Sequence, residues 1–384
     1  MFSGPSVERL HICDEGASGL GTPRRIAHGF WKDLPSLREL SVRLFHVPLN
    51  KLTAPNLTHL ALEEVGANWQ IKIENILGAL RGCPLLETFF LSSFGVCGGP
   101  TRDHSPVSLP HLRDIEVGGD EVHSGLTTYL LFPQNVAVGF RLQSRYDVLY
   151  SGPLANMVAT DHALGRIDIR CITLAIGSTD PLDDIGLLVR FEGLCGSLEI
   201  TYALDIDATV RDVFFGSSGM LFSKHASHME NVRELHIVGN VFGGGQGLHH
   251  VHAAMPNLVS VSFFSYEGPQ AFTLLTPTDP SLPPFPHLER IMILGPEQGL
   301  REMVKTRSDY GVPLKTLVIG RGSGQSEYDY EEDRAALGEF VDDLRIGCPT
   351  KIVEWGTENE VLNIWSTTEI PGPVSLNRKP KELG

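Results

Sequence analysis

Ala54-Pro55-Asn56-Leu57-Thr58-His59-Leu60-Ala61-Leu62-Glu63-Glu64-Val65 is the stretch that decides how this chain folds. Leu57, Leu60 and Leu62 follow the order apolar, two variable residues, apolar, one variable residue, apolar, with Pro55 two residues ahead. A strand has a side-chain period of two, so Leu60 and Leu62 share one face. Leu57 turns the chain into that strand.

Working outward, the same frame recurs along almost the whole chain. It runs through Val7-Leu10-Ile12, Leu37-Leu40-Val42, Leu86-Phe89-Leu91 and Leu112-Ile115-Val117. It is less regular at Ile169-Ile172-Leu174 and Cys195-Leu198-Ile200, and in Asn135-Val138-Phe140 the first apolar position is lost. The clear form resumes at Val232-Leu235-Ile237, Leu258-Val261-Phe263, Leu288-Ile291-Ile293 and Leu314-Leu317-Ile319. Pro35, Pro84, Pro110, Pro256 and Pro286 repeat the place of Pro55, ahead of a strand, which proline tolerates. Successive copies lie 20 to 37 residues apart. Leucine-rich repeats run about 20–29 residues, so most intervals fit and the longer ones hold insertions. One copy cannot bury its apolar edge alone, but stacked copies make one core.

Helical periodicity fills several gaps between these strands. Ile73, Ile76, Leu77 and Leu80 make one stripe before Gly82-Cys83-Pro84. Leu337, Phe340, Val341 and Leu344 repeat the spacing before Gly347-Cys348-Pro349, with Glu331, Glu332 and Asp333 near the N-terminal end, which favours negative charge. Leu300, Met303 and Val304 mark a shorter helix. The expected fold class is therefore α/β: an irregular, horseshoe-like leucine-rich-repeat solenoid. Its concave sheet is parallel, and helices and loops lie on the convex side. A doubly wound fold would show contiguous apolar strands and phosphate loops. An all-β sandwich would not need such helical stripes. Neither accounts for the repeated proline-apolar frame.

The boundaries expected are a single solenoid over 1–366, divergent over 131–228, with a capping strand at 352–356 and a disordered tail at 367–384. Hydrophobic residues make up 42% of the chain and charged ones 20%, ample for a continuous core. No apolar run is long enough for a membrane-spanning helix, and MFSGPSVERLHICDEG lacks the pattern of a secretory signal. The six cysteines, 13, 83, 97, 171, 195 and 348, form no C-x-x-C pair. That pattern predicts reduced thiols in a cytoplasmic or nuclear protein, with no metal site. A net charge of −15 argues against nucleic-acid binding.

Several features approach a chemistry without reaching it. Gly243-Gly244-Gly245-Gln246-Gly247 invites a phosphate-loop reading, but no Lys-Ser/Thr follows and Leu248 stands where the dinucleotide motif needs glycine. Gly320-Arg321-Gly322-Ser323-Gly324 fails likewise at Gln325. His249, His250 and His252 lack a partner motif such as H-E-x-x-H, and read as surface residues at a helix start. No G-x-S-x-G elbow occurs. The acidic pairs Asp183-Asp184 and Asp342-Asp343 read as solvated. No catalytic residue, cofactor or metal ligand is expected, and the chain reads as non-enzymatic.

The variable strand positions, facing away from the core, are the expected binding surface. Early copies place Arg9, His11, Glu39, Arg43, His59, Glu63, Phe90, Asp114 and Glu116 there. Later ones add Glu234, His236, Phe264, Arg290 and Met292. Mixed charge with an occasional aromatic or methionine suits a protein partner.

The phrases LPSLRELSV (34–42), APNLTHLALEEV (54–65), GCPLLETFFLSS (82–93), LPHLRDIEV (109–117) and FPHLERIMIL (285–294) make the chain resemble the leucine-rich-repeat region of fungal F-box proteins, over roughly residues 5–355. The resemblance implies the substrate-recognition part of a ubiquitin-ligase receptor, with a protein partner held by the repeats. Such proteins dock on the Skp1 adaptor of a cullin-based ligase through an F-box. No F-box-like opening occurs here, so Skp1–cullin partnership is expected only if an F-box lies upstream. The Asn or Cys expected after the last strand leucine appears once, as Asn240. The alternative is a structural or signalling repeat protein unrelated to ubiquitin.

Overall fold

The structure is a computed structural model. It describes residues 7–13, 34–43, 49, 52–63, 71–92, 96–97, 105–119, 125–143, 164–165, 167–178, 185–193, 196–204, 222–238, 246–264, 272–273, 275–279, 281, 283–294, 299–320 and 334–347. The expected capping strand at 352–356 and the tail at 367–384 lie outside these residues. So do most of both glycine-rich loops.

In chain order the elements are β1 (Arg9–Cys13), β2 (Glu39–Arg43), β3 (His59–Glu63), β4 (Ile71–Lys72), α1 (Ile73–Arg81), β5 (Thr88–Ser92), β6 (Val96–Cys97), β7 (Val107–Ser108), β8 (Asp114–Gly119), β9 (Leu130–Leu131) and β10 (Ala137–Gln143). Then come β11 (Ile169–Ser178), β12 (Ile185–Gly193), β13 (Ser197–Leu204), α2 (Ala226–Met229), β14 (Glu234–Val238), α3 (Gln246–Ala254), β15 (Ser260–Phe264), β16 (Arg290–Leu294), α4 (Leu300–Asp309), β17 (Leu314–Gly320) and β18 (Val341–Gly347). The result is an α/β protein with extensive sheet and peripheral helices. It divides into two compact units, residues 1–144, 157–167 and 194–202 in the first, and 145–156, 168–193 and 203–384 in the second.

In the first unit the strand order is β1-β2-β3-β5-β8-β10-β13. From β1 to β10 every pairing is parallel, and equivalent residues of the repeated frame stand opposite one another. Leu40, Leu60, Phe89, Ile115 and Val138 form one buried row, and Val42, Leu62, Leu91, Val117 and Phe140 another. Each fully buried side chain of this size contributes about 1.5–3 kcal/mol, so the rows set the register. The stripe Ile73, Ile76, Leu77 and Leu80 is buried on α1, as the periodicity predicts.

Ahead of most regular strands lies the same turn. The amides of Leu57, Leu86 and Leu112 donate to the carbonyls three residues earlier, those of Ala54, Cys83 and Leu109, at 3.0, 3.2 and 3.2 Å. Leu258 and Leu288 do likewise to Met255 and Phe285. The recurrent proline is thus the second residue of a β-turn, where its fixed φ is already correct. After the turn, two consecutive amides converge on one carbonyl of the preceding copy. Thr58 and His59 donate to the Arg38 carbonyl at 2.8 and 3.0 Å, and Glu87 and Thr88 to that of Thr58 at 2.7 and 3.0 Å.

The second unit has the order β12-β11-β14-β15-β16-β17-β18. From β11 through β14 to β18 the ladder is again parallel, stacking Ile172, Leu235, Val261, Ile291 and Leu317. The exception is β12, which pairs with β11 antiparallel, Ile172 opposite Phe191 and Leu174 opposite Val189. An all-parallel sheet was the expectation, and chain length explains the departure. Only residues 179–184 separate β11 from β12, whereas a parallel connection needs a crossover of about a dozen residues or more.

A second difference concerns the stripe Leu337, Phe340, Val341 and Leu344. Its spacing predicts a helix over those residues, yet the helical turn ends near Leu337 and Val341–Gly347 is strand β18. Leu344 and Ile346 there extend the rows of Leu317 and Ile319. Pairing with an existing sheet edge outweighs local helical preference. Helix α4 does form around Leu300, Met303 and Val304, opened by Gly299 at φ +86°. Its fourth buried residue is Arg307, whose guanidinium donates to the carbonyls of Leu275, Pro284 and Phe285 at 3.2, 2.9 and 3.0 Å.

Candidate metal centre and open sheet face

Alternation places the variable strand residues on the face opposite the buried rows. In the first unit they stand in three cross-strand rows. Arg9, Glu39, His59 and Asp114 share the first, with Thr88 between the last two. Phe90 and Glu116 adjoin in the second, which begins at His11, and Arg43 and Glu63 adjoin in the third. Opposite charges meet across strands, Arg9 with Glu39 at 3.2 Å and Arg43 with Glu63 at 3.8 Å. Phe90 is half-buried beside Ala61 and Glu116.

In the second unit Glu234, Ser260, Arg290 and Thr316 share one row of this face, and His236, Ser262, Met292 and Val318 the next. The second of these rows is not the exposed surface that the sequence predicts. Ser262, Met292 and Val318 are buried, and Phe264 packs against the last two. Of the neighbouring histidines, His250 is exposed, while His252 sets its ring edge-on to Phe285 with centroids 5.0 Å apart.

At the start of those rows β11 meets β14, with Cys171 directly opposite Glu234 and Thr173 opposite His236. Cys171, Glu234 and His236 therefore point to one side of two adjacent strands. Their sulfur, carboxylate oxygen and ring nitrogen lie within 4.8 Å of one another. The backbone ladder holds all three, while Ile172, Leu174, Leu235 and Ile237 lock it from the core side.

The electrostatics follow from burial on a charged rim. Burial pushes the Cys171 thiol up to about 12, helped by the carboxylates of Glu192 and Glu234 and opposed by the Thr173 hydroxyl and Arg190. Burial, with the Arg290 guanidinium, pulls His236 down to about 4. Glu234 lies 3.8 Å from His236 Nε2, yet its side chain is 49% exposed, so water screens its pull on the imidazole. Near neutrality the imidazole is uncharged, the form that binds metals. His236 Nδ1 is buried and has no hydrogen-bond partner among the described residues.

The expectation of a chain without catalytic chemistry is corrected here. A sulfur, an imidazole and a carboxylate gathered within 4.8 Å form a donor set compatible with a metal, and hence with a catalytic or cofactor role. The sequence reading set Cys171 aside because it belongs to no C-x-x-C pair, and placed Glu234 and His236 on a binding face. The available signal was alignment of the repeats, in which Cys171 and Glu234 occupy the same position of their frames. That β11 and β14 are neighbours was not visible, since two strands intervene in the chain.

Among the described residues no helix is long and apolar enough to cross a membrane. No protein-family model matches the chain, and no curated protein matches it either.

Proposed function

We propose that the chain is a leucine-rich-repeat scaffold of the horseshoe type whose open sheet face holds a protein partner. The resemblance to fungal F-box proteins gives that partner a role, as a substrate presented for ubiquitylation. One observation carries the reading. Arg9, His11, Glu39, Arg43, His59, Glu63, Phe90, Asp114 and Glu116 share one face of a parallel ladder, and core residues occupy the alternate positions. Charged pairs flanking a half-buried aromatic resemble the polar rim and aromatic anchor of a recognition surface.

Photo-crosslinking side chains introduced at Ala61 and Phe90, with Leu85 on the turn as a control, test this reading in cells. Crosslinks to one protein from both face positions and not from Leu85 are the expected result. Phe90→Ala should then weaken binding of that protein at least about tenfold, as removing a central anchor does. Crosslinks from Leu85 alone overturn the assignment of the face. A captured partner whose ubiquitylation persists when the chain is depleted overturns the ubiquitin role and leaves a structural or signalling scaffold.

A further inference from the structure

We propose that Cys171, Glu234 and His236 bind one thiophilic divalent cation of the Zn2+ class and leave a coordination position for an exchangeable ligand. The inference rests on this cluster alone and is independent of the partner assigned to the open face.

Geometry comes first. Donors around a tetrahedral zinc at bond lengths of about 2.0–2.3 Å are about 3.5 Å apart. The three ligand atoms already lie within 4.8 Å of one another, so small side-chain rotations close the site. Their strands do not need to move, since Cys171 and Glu234 are register partners in a ladder fixed from its other face. Sites mounted on such strands are better preorganised than those on loops.

A second, independent observation is the buried Nδ1 of His236, which has no hydrogen-bond partner among the described residues. Buried polar atoms are nearly always satisfied, and each exception calls for an explanation. A cation taken up at Nδ1 would supply one, with Nε2 left towards the Glu234 carboxylate at 3.8 Å. Sulfur and imidazole donors select against Mg2+ and Ca2+, which prefer all-oxygen shells. As the sulfur–metal bond forms, the thiol proton leaves to solvent.

The number of donors sets what the site can do. Among the described residues the cluster has three members. Structural zinc sites close with four protein ligands, whereas three leave room for water or an incoming donor. A bound cation would therefore present an activated water, or a docking point for an anion, on the face of the second unit.

The experiment uses the full chain without an affinity tag. Calorimetry with Zn2+ should give one equivalent bound, and Co2+ should give a sulfur-to-cobalt charge-transfer band with a visible tetrahedral spectrum. Cys171→Ser should abolish the charge-transfer band, while Cys13→Ser, which alters an exposed thiol elsewhere, should keep it. Removing a group that only orients a ligand costs about 10–100-fold in affinity. Loss of a donor costs more, so Glu234→Gln and His236→Gln should each weaken binding at least about 100-fold. Added azide should shift the visible cobalt spectrum by taking the fourth position.

Circular dichroism of the metal-free variants separates lost binding from lost fold. Glu234 is exposed, so Glu234→Gln keeps the test open even if Cys171→Ser fails to fold. Absence of binding by the wild-type chain overturns the site. Retention of the band in Cys171→Ser, or wild-type affinity in Glu234→Gln, overturns the assigned ligands. A spectrum indifferent to azide overturns the exchangeable position.

Discussion

Replacing Arg307 with methionine removes a buried cation while keeping most of its volume, and its effect can be worked from the contacts. The side chain is fully buried on α4 and donates to the carbonyls of Leu275, Pro284 and Phe285. Hydrogen bonds from a charged donor contribute about 1.5–3 kcal/mol each, so the three together are worth roughly 4–9 kcal/mol. Against this stands the cost of burying the charge. Burial pulls the guanidinium down to about 10 from its ordinary 12.5, and a difference of that size corresponds to about 3 kcal/mol. The net loss for Arg307→Met is then about 1–6 kcal/mol, with a central value near 3. For a unit of this size that is a fall in Tm of about 6–12 °C. The bond to Phe285 has a second role. Phe285 has a φ of +49°, a left-handed conformation that a bulky residue rarely adopts. The clamp on the Pro284 and Phe285 carbonyls holds it there. Thermal melting gives the global effect, and limited proteolysis around 276–286 tells whether that segment detaches first. A variant as stable as wild type, with no new cleavage in the segment, would refute the clamp.

Gly82 follows α1 where the backbone passes close to the Leu52–Thr53 segment. A Cβ there would stand 2.5 Å from the Leu52 carbonyl oxygen. Gly82→Ala should cost about 1–3 kcal/mol through forced backbone shifts, read as a lower urea midpoint at unchanged slope. The metal-free His236 should make stability depend on pH. Its folded value near 4 lies below the ordinary 6.5, so the unfolded chain takes up the proton first. The contribution is complete above about pH 6.5 and is lost as pH falls towards 4, up to about 3 kcal/mol. Glu234, Cys171 and Arg290 face the ring. His236→Asn should flatten that part of the stability curve, and an unchanged slope would refute the assignment.

Much of the ladder was legible because its information is local. Each copy states its own period, as Leu57, Leu60 and Leu62 do, and like copies stack alike. The stripe at Ile73 was legible for the same reason. Leu337 to Leu344 misled because Leu344 and Ile346 also alternate as a strand, and only a free edge on β17 decides between the two. The β12 strand carries an alternating signal in Leu187, Val189 and Phe191, but its direction depends on the shortness of the connection rather than on its own residues. The cluster was least legible. Glu234 and His236 reveal a shared face by their spacing, whereas Cys171 joins them only through a pairing across 63 positions of sequence. Likewise Arg307 reads as one charged residue among several on α4 until the turn of Pro284 and Phe285 is seen above it.

The carbonyl that receives two amides from the next copy has an evolutionary consequence. In each unit the joint is made of peptide groups, Arg38 to Thr58 and His59 in the first and Arg233 to Val259 and Ser260 in the second. Substitution leaves such groups in place unless it introduces proline. Neighbouring copies are thus coupled by something mutation seldom touches, and each interacts mainly with the copy before and the copy after. This accounts for spacings that vary between 20 and 30 residues along the regular parallel steps while each ladder keeps its register. A lineage can rewrite nearly every outward side chain, or lengthen what lies between two copies, and still inherit the joint that ties one to the next.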